Sequence, residues 1–183
     1  GVFSSQLRRY DPDLWIDAVE IDPVVVKAAR RFFGVREDKR FRIHVRDGAE
    51  FIRETRRTYD LVFLDAYSGE GVPPKLVSPA FFEAVKARVN EGGVVVANLW
   101  KLGKQEDPVA ATFGAAFPQT AGIRTKDGYN LILFGMTGGL PSRELLIRDA
   151  RRFTQASGLS FDLGKIAGRL KIIQPGPKDR DPS

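Results

Sequence analysis

Three short apolar runs of this chain end on acids. Trp15-Ile-Asp-Ala-Val-Glu-Ile-Asp22 carries Glu20 and Asp22 at its end, Phe41-Arg-Ile-His-Val-Arg46 runs into Asp47, and Tyr59-Asp-Leu-Val-Phe-Leu-Asp65 ends on Asp65. Carboxylates so placed can do three different jobs. Glu20 can accept two hydrogen bonds from a ribose diol, as the acidic residue of dinucleotide folds does. Asp47, followed by the small residues Gly48 and Ala49, can accept from an exocyclic amine such as adenine N6 while the base approaches the backbone. Asp65, where the chain enters a loop rich in Gly and Pro, is placed to handle a nucleophile's proton. Plainer readings stand beside these: Glu20 or Asp22 as a helix cap, Asp47 before Gly48 as a turn former, Asp65 as a loop acid. The coincidence of all three at successive strand ends favours the ligand-binding reading. His44 alternates with Ile43 and Val45 and reads as facing solvent or a helix rather than as a catalyst.

The elements that position these acids follow from the pattern. Residues 15–22, 41–46 and 59–65 read as strands. Asp22 caps a helix that has Pro23 at its first position and Gly34 at its close. Further helices are expected over 49–57, 78–89, 108–117, 142–157 and 161–170, and a strand over 94–100 after Gly92-Gly93. Residues 121–125 and 130–136 form a closing antiparallel pair around Asp127-Gly128. Alternating strand and helix predicts an α/β fold: a mostly parallel sheet with helices on both faces, finished by that antiparallel pair. This is the layout of the S-adenosylmethionine-type Rossmann fold. Ligands of open α/β sheets bind beyond the carboxyl ends of the strands, so the three acids are expected along one edge of the sheet.

Composition narrows the chemistry. The 183 residues read as one nucleoside-binding domain over 1–173 and a disordered tail over 174–183. There is no Cys and a single His, which excludes disulfides, thiol catalysis and Cys- or His-rich metal sites. No apolar run reaches about 18 residues, so no membrane contact is expected of this segment. The net charge of +6 permits weak attraction to anions but identifies no partner. Arg53, Arg56 and Arg57, and Arg143, Arg148, Arg151 and Arg152, read as solvated helix faces, and no aromatic platform accompanies them, so no nucleic acid is expected.

With Val19-Glu-Ile-Asp-Pro23, Arg46-Asp-Gly-Ala49 and the acid-ended Tyr59–Asp65 strand, residues 1–136 resemble the spermidine synthase (polyamine aminopropyltransferase) family. The resemblance implies a cytoplasmic transferase, with a homodimer among the assemblies it allows. The donor would be decarboxylated S-adenosylmethionine and the acceptor putrescine or a related amine, with no metal. Glu20, with Ile21 beside it, would hold the ribose, and Asp47, Gly48 and Ala49 the adenine; Gly1 would stand at the end of the family's Gly-rich loop. Asp65 would match the first acid of the catalytic loop, and Tyr67, Ser68 and Glu70 would face the acceptor. Two departures follow. The strand that precedes the Gly-rich loop is central to this fold and is not in the sequence, so the chain reads as part of a longer protein and a gap in the sheet is expected. Ser68 stands where the family's second loop acid is expected, with Glu70 two residues later. Two other readings remain open: a methyltransferase using S-adenosylmethionine itself, and a non-catalytic nucleoside-binding domain.

Overall fold

The computed structural model describes residues 2–66, 72–100, 106–117 and 119–173. The tail over 174–183 and the site candidates Gly1, Tyr67, Ser68 and Glu70 lie outside the described residues. Packing divides the chain into two units, residues 1–55 and 56–183. The described strands form two separate sheets, one of two strands in the first unit and one of five in the second.

The first unit contains helix α1 (Val2–Tyr10), strand β1 (Ile16–Glu20), helix α2 (Pro23–Phe32), strand β2 (Phe41–Val45) and helix α3 (Gly48–Glu54). β1 and β2 pair in parallel, Ile16 beside Phe41 and Glu20 beside Val45. α2 starts where expected. The Asp22 carboxylate accepts the Val24 N–H at 2.7 Å, and Pro23, which has no N–H to lose, takes the first helical position. Gly34, at φ 64°, turns the chain away after the helix. Among the described residues of this unit, Val26, Val35, Phe41, Ala49 and Ile52 are the buried apolar ones.

The N–H of Ile16 bonds the carbonyl of Arg40, and the N–H of Arg46 bonds that of Glu20. Even-numbered residues of β2 therefore face β1, and Ile43 turns its N–H to the opposite edge. There the Glu37 carboxylate accepts it at 2.8 Å, while Asp38 accepts the N–H groups of Arg40 and Phe41 at 2.8 and 2.9 Å. Two acids of the preceding loop thus satisfy the outer edge of β2.

The second unit contains β3 (Tyr59–Leu64), a 3-10 turn (Pro74–Leu76), α4 (Pro79–Lys86), β4 (Val89–Trp100), α5 (Glu106–Ala116), β5 (Gln119–Arg124), β6 (Asn130–Met136), α6 (Arg143–Ser157), α7 (Leu163–Ala167) and β7 (Lys171–Ile173). The strand order is β3-β4-β6-β5-β7. β3 and β4 are parallel, and β4, β6, β5 and β7 pair antiparallel in turn. β4 starts earlier than its apolar run. Between the pairs Tyr59–Val89 and Leu61–Val94, β3 advances two residues and β4 five. Gly92, at φ 75°, allows that bulge, so the Gly92-Gly93 step lies inside a strand. The fully buried Phe82, Phe113, Phe117, Val85, Val95 and Leu133 form the core. The Phe113 ring meets Phe82 edge-on at 5.3 Å and Phe117 at 4.8 Å. No helix among the described residues is long and apolar enough to cross a membrane.

Candidate functional site

Because β1 and β2 are parallel neighbours, their carboxyl ends lie side by side, and the Arg46 N–H bonds the Glu20 carbonyl at 3.0 Å. Glu20 is the last residue of β1 and half-buried. One of its carboxylate oxygens accepts the Asp22 N–H at 3.0 Å, which fixes the side chain over the turn into α2. Asp47 follows β2 by two residues and caps α3, accepting the N–H groups of Ala49 at 2.8 Å and Glu50 at 3.2 Å. Both acids therefore bond backbone and are oriented by it. A carboxylate has about four acceptor positions, so these bonds and a ligand contact are compatible.

The neighbours divide in their surroundings. A side chain at Gly48 would meet no atom within 4 Å, whereas Ala49 turns its methyl into the core at 8 % exposure. Ile21 is 62 % exposed beside Glu20. His44 packs against Phe51 of α3, with ring centroids 4.8 Å apart, and its Nε2 lies 2.8 Å from the buried carboxylate of Asp17. It faces a helix, as its strand position implies.

Asp65 belongs to the second unit and is exposed immediately after β3. The Asn98 amide of β4 donates to its Oδ1 at 2.8 Å, and the Asn130 amide at the start of β6 donates to the Asn98 oxygen at 2.7 Å. Sequence reasoning passes over both asparagines. Their signal is a polar amide inside or bordering an apolar run, Val94-Val-Val-Ala-Asn-Leu-Trp100 and Asn130-Leu-Ile-Leu-Phe134. Near Asp65 the arrangement offers an exposed carboxylate held by a neutral donor, a group that can orient a cationic amine and accept its proton.

Comparison with known proteins agrees with this layout. The polyamine aminopropyltransferase of Vibrio vulnificus is 29 % identical over 160 residues, 85 % of this chain and 54 % of that protein. The human eEF1A lysine and N-terminal methyltransferase is 34 % identical over 137 residues, 67 % of this chain and 20 % of that protein. The chain thus spans about half the length of the first relative and a fifth of the second. The crystal structure of human Methyltransferase-like protein 13 in complex with SAH superposes with a TM-score of 0.72 at 28 % identity, covering 100 % of this chain and 82 % of that one. The fold is accordingly the Rossmann-like fold of the methyltransferases. The Spermine/spermidine synthase domain model matches residues 1–106, which run from α1 through β4 and carry Glu20, Asp47 and Asp65; by that match over more than half its length the chain belongs to the spermine/spermidine synthase family.

Proposed function

We propose that the protein transfers an alkyl group from an adenosyl sulfonium donor to an amine, and that within this class it is an aminopropyltransferase. The donor is decarboxylated S-adenosylmethionine and the acceptor is putrescine or a related polyamine. The observation that carries the reading is the family match across the segment that holds the three acids at their strand ends. In this reading residues 1–173 act as one nucleoside-binding domain. Glu20 accepts from the ribose hydroxyls, with Ile21 beside it, and Asp47 accepts from the adenine amine above Gly48.

The chemistry assigns Asp65 its role. An ammonium is no nucleophile, so a carboxylate must orient it and take a proton. The freed nitrogen then attacks the aminopropyl carbon next to sulfur. The C–N bond forms, the C–S bond breaks, and its electron pair leaves on the sulfur of methylthioadenosine. The sulfonium is already an activated leaving group, so the step draws on no Lewis acid. Tyr67, Ser68 and Glu70 complete the acceptor side in this reading.

A second reading has observations of its own. The human Methyltransferase-like protein 13 structure covers the whole chain, and Ser68 replaces an expected acid; both favour methyl transfer from S-adenosylmethionine. The two donors differ by one carboxylate, so a single assay separates the readings. The protein is given each donor with putrescine, and the nucleoside product is identified by mass. Methylthioadenosine from the decarboxylated donor supports aminopropyl transfer. S-adenosylhomocysteine from the intact donor overturns it in favour of methyl transfer. Tight nucleoside binding without turnover leaves a binding domain.

A further inference from the structure

We propose that Asn98 and Asn130 are positioning residues that orient Asp65 through a side-chain ladder crossing three strands. The proposal deepens the function above and rests on its assignment of Asp65 as the group that handles the acceptor's proton.

The register of the sheet dictates the ladder. Leu64 of β3 lies beside Ala97 of β4, which sets Asp65 beside Asn98. On the other side Asn98 pairs with Ile132 of β6 and Trp100 with Asn130, so Asn98 and Asn130 are diagonal neighbours. Diagonal Cα atoms lie about 7–8 Å apart, a span that two amide side chains bridge. The polarity of the ladder is fixed as well. An ionised carboxylate only accepts, so Asn98 must turn its NH2 to Asp65 and its oxygen to β6. That oxygen requires a donor, and the Asn130 NH2 supplies it at 2.7 Å. Neither amide can flip without setting oxygen against oxygen.

The far end is anchored in the β5–β6 turn. The Asn130 N–H donates to the Thr125 hydroxyl at 3.0 Å, and its carbonyl accepts the Thr125 N–H at 2.9 Å. The Thr125 hydroxyl donates in turn to Asp127 at 2.5 Å, which also accepts the Tyr129 N–H at 3.1 Å. The turn thus holds Asn130, Asn130 holds Asn98, and Asn98 holds Asp65. The choice of partner matters for a cationic acceptor. A Lys or Arg in place of Asn98 would compete with the amine for the carboxylate and repel it, whereas an amide fixes the geometry and adds no charge.

The test combines turnover with carbon-13 NMR titration of the Asp65 carboxyl in the full chain. Asn98→Asp keeps the shape and sets a second carboxylate against Asp65. The Asp65 titration midpoint is expected to rise by about one pH unit, and the acid limb of kcat/KM to move with it. Asn130→Ala removes the second rung; kcat is expected to fall about tenfold to a hundredfold through loss of alignment, with methylthioadenosine affinity within about twofold of the parent. An unmoved Asp65 titration in a folded Asn98→Asp protein overturns the ladder. If the midpoint rises but the parent protein turns over neither donor, the ladder stands and the alkyl-transfer reading fails.

Discussion

Asp65 and Glu20 make demands that substitution can separate. Asp65→Asn retains a side-chain oxygen that accepts from Asn98 but loses the capacity to take a proton. Turnover is expected to fall about 10²- to 10⁴-fold while calorimetric affinity for methylthioadenosine stays unchanged. Full activity in that variant would remove Asp65 from the mechanism. Glu20→Gln likewise keeps an oxygen for the Asp22 N–H, so the turn into α2 is preserved. It removes the charge that strengthens a bond to a ribose hydroxyl, and the same titration should show binding weaker by about 1–3 kcal/mol. The strand-end acids were open to sequence reasoning because an apolar run that stops at a carboxylate is a local signal. Their bonds to neighbouring backbone are local too: Asp22 caps α2, as its plainer reading has it, while Asp47, read there as a turn former, caps α3. The ladder was not legible. Asn98 and Asn130 lie 32 residues apart, and only the pairing of β4 with β6 makes them partners.

Elements announce themselves through their ends. Ser142, whose hydroxyl accepts the Leu145 N–H at 3.2 Å, opens α6, and Gly128, at φ 76°, closes the β5–β6 turn; both are plain in the sequence. The glycines of β4 misled for a physical reason: a bulge and a turn ask for the same residue. β7 is three residues long, too short to show a period. Inside the second unit, two glycines predict opposite effects of one added methyl. At Gly135 of β6 a Cβ would come within 2.6 and 2.8 Å of Phe117 and 2.9 Å of Phe113, both fully buried rings. Gly135→Ala should therefore force the aromatic cluster apart and cost about 1–3 kcal/mol. At Gly114, in the last turn of α5, a Cβ would meet nothing within 4 Å. Gly114→Ala should instead stabilise by about 0.4–1 kcal/mol, because Ala has less unfolded-state freedom to lose and favours the helix. Differential scanning calorimetry of the pair checks the signs; a raised Tm for Gly135→Ala would show that the cluster has slack.

Across the whole chain, each of the two units is stabilised internally by different means, and pH should distinguish them. The second unit rests on its phenylalanine cluster, and its β4–β6 ladder around Val95 and Leu133 is backbone bonding between buried residues. Among the described residues, the first unit has a smaller set of buried side chains, and it uses carboxylates to complete the edge of β2. Glu37 is held below the ordinary carboxylate range by the Ile43 N–H and, to a lesser degree, by the Arg30 guanidinium. Asp38 is held below it by the Arg8 guanidinium first and then by the Arg40 and Phe41 N–H groups. Both acids are more acidic folded than unfolded. Their contribution is therefore complete above the unfolded carboxylate range, near pH 4, and is lost as pH falls through the lowered folded values. Solvent screening at this exposed edge keeps the energy small, but local opening needs little. Hydrogen exchange, corrected for its intrinsic pH dependence, should show protection at Arg40, Phe41 and Ile43 falling between about pH 5 and pH 2. Protection at Val95 and Leu133 should change far less over the same range. The double variant Glu37→Gln, Asp38→Asn should flatten the response at β2, because its replacements accept the same N–H groups and do not titrate. If β2 and the β4–β6 ladder lost protection together, or if the double variant kept the acid response, carboxylate linkage at the β2 edge would not be its cause.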